Sequence, residues 1–126
     1  MESRRVIATA LAIGLVALLG FYGAAKLLRA GFEVAAFQRW GYPSAFRVMV
    51  GSFEVACAVA LLVPAARWWA ALAVLPLMAG AMMTNITHAE LDKLGLPIGT
   101  ALAALALLLL TPMPARVGAW TARLRA

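Results

Sequence analysis

Long uncharged apolar runs dominate this sequence and limit what it can fold into. Residues 6–25, 68–87 and 94–115 contain no charged side chain. A helix of about 20 apolar residues crosses the hydrocarbon core of a bilayer, and each run is long enough to do so. The chain has 126 residues, of which 65% are hydrophobic and 13% are charged, and one small soluble core could not bury so much apolar surface. The sequence therefore predicts an integral membrane protein.

A fourth run, residues 44–63, has the length of a membrane span but contains Arg47 and Glu54. We interpret it as a span because the apolar residues 55–64 would otherwise be left in water. The predicted fold is all-α, a polytopic membrane protein built as a four-transmembrane-helix bundle. It forms a single domain over residues 1–126, with helices at approximately 6–28, 44–63, 66–88 and 95–111.

Residues 31–40, between the first two spans, place Phe32, Ala36, Phe37 and Trp40 at helical spacing, with Glu33 and Arg39 elsewhere around the turn. This pattern predicts a short interfacial helix, since aromatic side chains favour the depth of the lipid head groups. Such a helix would either anchor the bundle or cover a site below it, and the sequence leaves both roles open.

The positions of Lys and Arg along the chain predict its binding partners and its orientation in the membrane. The net charge is +6, but Lys and Arg flank the apolar runs and form no patch with interleaved aromatic residues, so the expected partners are membrane lipids and not nucleic acid. Six of these residues lie on the side of the termini and five on the other side. Lys26 and Arg47 belong to the five, and if both lie within the membrane the second count falls to three. The positive-inside rule then predicts that both termini are cytoplasmic. The first run is longer than the apolar part of a signal peptide, so we expect it to be retained.

Polar side chains within the spans are the next informative feature. A charge in hydrocarbon costs several kcal/mol unless it has a partner, a cavity or a function. The candidates form pairs three, four or seven residues apart, which places each pair on one face of its helix: Tyr22 and Lys26, Arg47 and Glu54, and Asn85 and His88. Because helical side chains lean toward the N-terminus of their helix, Lys26 and His88 point into the bundle and Glu54 points up toward them. The sequence predicts one polar pocket in the outer half of the bundle, with Glu54 as its floor.

The same groups could serve the fold alone. Lys26 and Glu54 would then be an ion pair that fixes helix register, and Asn85 and His88 would be ordinary hydrogen-bonding groups between helices. No metal site is expected, because such a site needs more clustered His, Cys or carboxylate ligands. Cys57 is the single cysteine, which excludes a disulfide or a dithiol centre within one chain.

Four short motifs occur in order along nearly the whole chain: Gly23-x-x-Lys26, the turn Gly41-Tyr42-Pro43, Gly51-x-x-Glu54, and the segment from Gly80 to His88. Together they resemble the DoxX-like family of small bacterial membrane proteins and, more remotely, eukaryotic four-helix proteins. The resemblance implies four transmembrane helices in the bacterial cytoplasmic (inner) membrane. It also implies an association with redox systems, as subunits of thiosulfate:quinone oxidoreductase or as membrane partners of enzymes that handle oxidative stress. Other relatives resemble assembly chaperones or lipid- and sterol-binding proteins.

Our leading hypothesis is a redox-associated membrane subunit that binds a quinone-like or lipid-like molecule and works with a soluble or membrane redox partner. The ligand-binding residues would be Lys26, Glu54, Asn85, His88, Arg47 and Tyr22. No covalent cofactor is expected, because the sequence has no haem or iron–sulfur ligand set and no Gly-rich nucleotide loop. Whether the chain is itself an enzyme is left open.

Two other functions remain open on the sequence. The alternative is an assembly or scaffold protein in which the intramembrane ion pair is structural. A proton- or ion-coupled transporter is a third hypothesis, and it would require a homodimer because the second half of the chain does not repeat the first.

Overall fold

The computed structural model describes residues 2–126, and these residues are helical almost throughout. Within that range the chain forms six α-helices and one short 3₁₀-helix, and no β-strand. The helices are α1 (Glu2–Leu27), α2 (Gly31–Trp40), α3 (Ser44–Leu62), α4 (Arg67–Thr87), α5 (Gly95–Leu110) and α6 (Ala115–Arg125), and the 3₁₀-helix is Leu91–Lys93.

Four segments are long and apolar enough to cross a membrane: α1, α3, α4, and α5 with the preceding 3₁₀-helix. This confirms the predicted all-α fold with four spans. α1 begins at Glu2 and not near residue 6, because the polar residues before the apolar run continue the same helix with an acidic residue in its first turn. Every other end of the α-helices α1, α3, α4 and α5 lies within one residue of its predicted position, and α2 covers residues 31–40.

The spans form a closed ring in the order α1, α3, α4, α5. α1 contacts α3 and α5, and α4 contacts the same two helices. Consecutive spans alternate in direction, so the two termini lie at one end of the bundle. The guanidinium of Arg4 donates a hydrogen bond to the carbonyl oxygen of Leu109 over 3.2 Å, which joins the start of the first span to the end of the last.

The interior of the ring is apolar and closely packed. Leu15, Leu61, Val74 and Leu107 are almost completely buried there. Large apolar side chains also cover the outside of the spans, such as Leu102, which is 61% exposed. Because so much exposed apolar surface is unfavourable in water, the outside of the ring is the surface that faces lipid.

α1 and α3 approach each other closely at two glycines. A Cβ atom on Gly23 would lie 2.8 Å from Val55 Cγ2 and 3.0 Å from Glu54 Cβ, and one on Gly51 would lie 2.8 Å from Lys26 Cβ. Small residues permit this kind of backbone contact between membrane helices. Each glycine lies against the charged residue of the other helix, so the two glycine motifs place Lys26 and Glu54 side by side.

α2 lies at the end of the bundle opposite the termini. It contacts both α1 and α3, the two spans that it connects. Gly41 caps its C-terminus with a φ of +78°, a left-handed conformation that glycine adopts without steric cost. This turn allows the chain to pass from α2 directly into α3.

Candidate functional site

A cavity of about 800 Å³ lies beneath α2 and between the spans. All four spans and α2 contribute to its wall, for example through Leu18, Phe37, Val50, Gly80 and Thr100. The wall is mostly apolar. The cavity is partly open, so it is a cleft in one half of the bundle and not a sealed void.

The most buried charges of the wall form a cluster of one lysine between two glutamates, and Arg39, Asp92 and Lys93 also line the cavity. The ammonium of Lys26 in α1 lies 2.8 Å from Oε1 of Glu54 in α3 and donates a hydrogen bond to Oε1 of Glu33 in α2 over 3.2 Å. All three side chains are buried, with between 6% and 11% of their surface exposed. The Lys26 ammonium also lies 5.8 Å from the ring centroid of Tyr22. This arrangement satisfies charges that would otherwise be costly within a bundle.

Arg47 lies outside the lining of the cavity and contacts the backbone of Lys26. It is 5% exposed, and its guanidinium donates a hydrogen bond to the backbone carbonyl of Lys26. That carbonyl belongs to the last turn of α1, where helical carbonyls lack intrahelical partners. Arg47 therefore holds the end of α1 against α3, and it borders a second, smaller hollow next to Arg29.

Asn85 joins the cavity wall from α4. It is 7% exposed, and its side-chain nitrogen donates a hydrogen bond to the carbonyl oxygen of Lys93 over 3.2 Å. This bond ties the last turn of α4 to the 3₁₀-helix that leads into α5. Nearby, the hydroxyls of Tyr42 and Thr84 share a hydrogen bond of 3.1 Å.

Aromatic rings form the part of the wall beneath α2. The rings of Phe37 and Trp40 are 5.2 Å apart, and those of Tyr42 and Phe46 are also 5.2 Å apart. At the other end of α2, Phe32 lies 6.4 Å from Tyr22 of α1. Pairs at these distances contribute about 0.5–1.5 kcal/mol beyond the burial of their area. The pair of Phe32 and Tyr22 joins α2 to α1, and the rings, which meet at angles of 59° to 88°, give the cavity an aromatic surface.

A second polar group, which we call the latch, joins the C-terminal end of α2 to the loop after α4. Arg39 and Lys93 both pair with Oε1 of Glu90, at 2.6 Å and 2.9 Å, and the indole nitrogen of Trp40 donates to Oε2. The hydrogen bonds from Lys93 and Trp40, followed by the Arg39 guanidinium, lower the pKa of Glu90 to about 2. Both ends of α2 are thus held by ionic contacts, the first through Glu33.

Four of the six residues singled out from the sequence line the cavity: Tyr22, Lys26, Glu54 and Asn85. Arg47 lies behind the wall, as described above. His88 is exposed, and its Nδ1 donates to the carbonyl oxygen of Thr84 over 2.8 Å. As the C-cap residue of α4 it is no longer in helical register, so its ring folds back on the last turn and packs 5.9 Å from the ring of Tyr42.

Glu33 and Glu90 were not among the predicted site residues. Glu33 lies in the first turn of α2, seven residues after Lys26, and the two are separated by a turn whose geometry the sequence does not reveal. A usable signal was the carboxylate of Glu33 in the apolar first part of the interfacial helix, residues 31–37. Glu90 had no such signal, because a charged residue in a loop is usually solvated.

The described residues, 2–126, contain no group of three His, Cys, Asp or Glu side chains placed to hold a metal ion. The cysteine thiol, on Cys57, is buried and free. The residues that line the cavity offer ionic and hydrogen-bonding contacts next to a broad apolar surface.

Comparison with known proteins identifies the family. The family model described as "DoxX-like family" matches residues 10–109, which include most of α1 and of α5, all of α3 and α4, and the residues that line the cavity beneath α2. No match to the chain was found among curated proteins or among solved structures. The remote relation to eukaryotic four-helix proteins stays a prediction. The match covers most of the chain, and the chain is therefore a multi-pass membrane protein that belongs to the DoxX-like family.

Proposed function

We propose that this chain is a membrane subunit that binds a quinone-like or lipid-like molecule beneath α2 and works with a redox partner. The observation that carries the proposal is the cavity, which combines apolar walls with the cluster of Lys26, Glu33 and Glu54. Its volume of about 800 Å³ falls within the range of roughly 300–1,000 Å³ that is common for small-molecule sites. An amphiphile matches this division into a polar part and an apolar part.

Each part of the wall has a role in this proposal. Lys26 has three N–H donors, and the two glutamates account for two of them, which leaves one for an oxygen atom of the ligand. Leu18, Leu77 and Leu96 lie on the apolar wall, where a hydrocarbon tail would pack. α2 would cover the head group and keep water from it.

The redox role rests on membership of the DoxX-like family and on the expected association of that family with redox systems. Cys57 is the single cysteine of the chain, so a dithiol centre cannot form within it. Electrons would reach a bound quinone from the cofactor of a soluble or membrane partner. Affinity purification from crosslinked membranes should recover such a partner, and recovery of no oxidoreductase would count against this role.

We further propose that the protein lies in the bacterial cytoplasmic membrane with both termini in the cytoplasm. A cysteine introduced at Ala126 tests the orientation, because Cys57 is buried and reacts slowly. A membrane-impermeant maleimide should label the new cysteine in inverted vesicles and leave it unlabelled in intact spheroplasts. The opposite labelling would reverse the orientation.

Ligand binding is tested by closing the cavity. Gly80 lines the cavity, and a Cβ atom there would meet nothing within 4 Å, so Gly80→Leu should fill space without disturbing the wall. Gly14→Leu is the matched control, because Gly14 is equally unobstructed but lies outside the cavity. A short-chain ubiquinone or menaquinone at 100 times its dissociation constant should stabilise the unaltered protein and the control by about 2.7 kcal/mol. The Gly80→Leu protein should gain no stability, and equal stabilisation of all three proteins, or of none, would refute the proposal.

The second candidate function, an assembly or scaffold protein, is favoured by one observation. The Lys26 ammonium is paired within the fold by both Glu33 and Glu54, as expected of a cluster that only stabilises the fold. The test replaces Lys26→Met, Glu33→Gln and Glu54→Gln together, which removes all three charges. Intact partner recovery without quinone binding would favour the scaffold.

A further inference from the structure

The charged cluster has more unused hydrogen-bond acceptors than unused donors. Glu54 approaches Lys26 through Oε1, and Glu33 uses its own Oε1, so the Oε2 atom of each makes no hydrogen bond with a described residue. Asn85 donates through its nitrogen, and its side-chain oxygen is likewise without a partner among residues 2–126. At this end of the cavity, three acceptor oxygens and one donor, the third N–H of Lys26, remain available.

These oxygens face open space. No enclosed side-chain oxygen among the described residues lacks a partner, so atoms without a partner must be reachable by a molecule of the size of water. Glu33, Glu54 and Asn85 are each between 5% and 7% exposed, and all three line the cavity. The exposed part of these nearly buried side chains is therefore the part that a ligand in the cavity would contact.

We propose that the cavity selects a neutral amphiphile whose head group carries a hydroxyl, so that among quinone-like molecules it prefers the quinol to the quinone. This rests on the proposed function, because it specifies the ligand of the same cavity. A hydroxyl can accept a hydrogen bond from Lys26 and donate one to Glu54 Oε2, whereas a quinone carbonyl can only accept. A carbonyl oxygen placed beside Lys26 would also face two carboxylates with no proton to offer them.

The charge of the cluster excludes other head groups. A carboxylate or phosphate head would be repelled by Glu33 and Glu54, which outnumber Lys26. An ammonium head would be attracted by the two carboxylates, but it would lie beside the Lys26 ammonium and could not accept its third N–H. Like charges at such distances in a site with little water are strongly unfavourable. A neutral hydroxyl avoids both conflicts, and its ring or chain can lie against the aromatic residues beneath α2.

The test compares three ligands that differ mainly in whether the head group can donate a hydrogen bond. They are a short-chain ubiquinone, its quinol, and the dimethyl ether of that quinol, which cannot donate. Dissociation constants are measured by calorimetry under argon with the purified full chain in detergent. A hydrogen bond to a charged group contributes about 1.5–3 kcal/mol, so the quinol should bind at least about tenfold more tightly than the other two. A quinone or an ether that binds as tightly as the quinol would overturn the inference and leave the proposed function standing. Absence of binding by all three would overturn both.

The variant Glu54→Gln tests whether Glu54 accepts the hydrogen bond from the quinol hydroxyl. Glu54→Gln keeps the shape of the side chain but replaces one acceptor with an N–H₂ donor, so the preference for the quinol should fall by about tenfold and the quinone should bind relatively better. Glu2→Gln is the control, because Glu2 is exposed and lies outside the cavity. An unchanged preference in a folded Glu54→Gln protein would overturn the role of Glu54. If that variant does not fold, the comparison of the three ligands on the unaltered protein still decides the inference.

Discussion

The glycine contact between α1 and α3 leads to a quantitative prediction. A Cβ atom on Gly51 would lie 2.8 Å from Lys26 Cβ and 3.0 Å from the carbonyl oxygen of Gly23. Carbon atoms in ordinary contact are about 3.5–4.0 Å apart, so Gly51→Ala would force the helices apart by about 0.7 Å or more. Overpacking of this kind costs about 1–3 kcal/mol, and the better helix propensity of alanine offsets up to about 1 kcal/mol. We expect Gly51→Ala to be about 1–3 kcal/mol less stable than alanine variants at unobstructed glycines, and therefore roughly 0–2 kcal/mol less stable than the unaltered protein.

The measurement is equilibrium unfolding in mixed micelles with increasing SDS, followed by helical circular dichroism. Gly14→Ala and Gly20→Ala are matched controls in α1, because a Cβ atom at either position would meet nothing within 4 Å. Both should be neutral or stabilised by up to about 1 kcal/mol. Since the shift also separates Lys26 from Glu54, ligand affinity should fall in Gly51→Ala alone. A Gly51→Ala protein as stable as the two controls would refute the close approach of the helices.

Three further predictions concern a turn, the latch and the charged cluster. Ala89 follows α4 with a φ of +56°, so Ala89→Gly should raise the free energy of unfolding in the same SDS titration by about 0.5–1 kcal/mol, and a loss of stability would contradict this conformation. Because the pKa of Glu90 is lowered to about 2, the stabilisation from its ionised form is fully present above the ordinary carboxyl pKa of 4.5 and is lost as the pH falls through about 2. Hydrogen exchange at the C-terminal end of α2, corrected for intrinsic rates, should therefore be constant from about pH 7 to about pH 5 and accelerate at lower pH, and Glu90→Gln should abolish this change there. Lys26→Met leaves Glu33 and Glu54 without their shared cation and should cost about 3–5 kcal/mol, whereas the triple variant that also carries Glu33→Gln and Glu54→Gln should recover most of the loss. Equal stability of the single and triple variants would show that the loss in Lys26→Met does not come from leaving Glu33 and Glu54 without a cation.

The latch and the cluster give α2 two ionic attachments with different sensitivities. Glu90 is at the surface, between the more exposed side chains of Arg39 and Lys93, and salt screens pairs of this kind effectively. The pair of Lys26 and Glu33 is buried and is screened much less. Raising the ionic strength should therefore loosen the C-terminal end of α2 before its N-terminal end.

The spans and α2 could be located from sequence because their signals are local. The length of each apolar run, as a helix, matches the thickness of the bilayer core. The spacing of the apolar and aromatic residues in 31–40 matches the period of an α-helix. The lysine of Gly23-x-x-Lys26 and the glutamate of Gly51-x-x-Glu54 could also be paired in advance, since an uncompensated charge in a span requires a partner. The start of α1 lies before its predicted position because polar residues can continue a helix beyond the membrane.

The sequence by itself determined the four spans, the helix between the first two, and the residues that must find polar partners within the bundle. Only the tertiary structure decided that Glu33 shares Lys26 with Glu54, that Arg47 lies behind the cavity wall, and that His88 folds back outside it. The physical reason is that periodicity specifies the face of a helix but not its rotation or height relative to its neighbours. Those depend on contacts such as the one at Gly23 and Gly51, and on turns whose dihedral angles bring distant residues together.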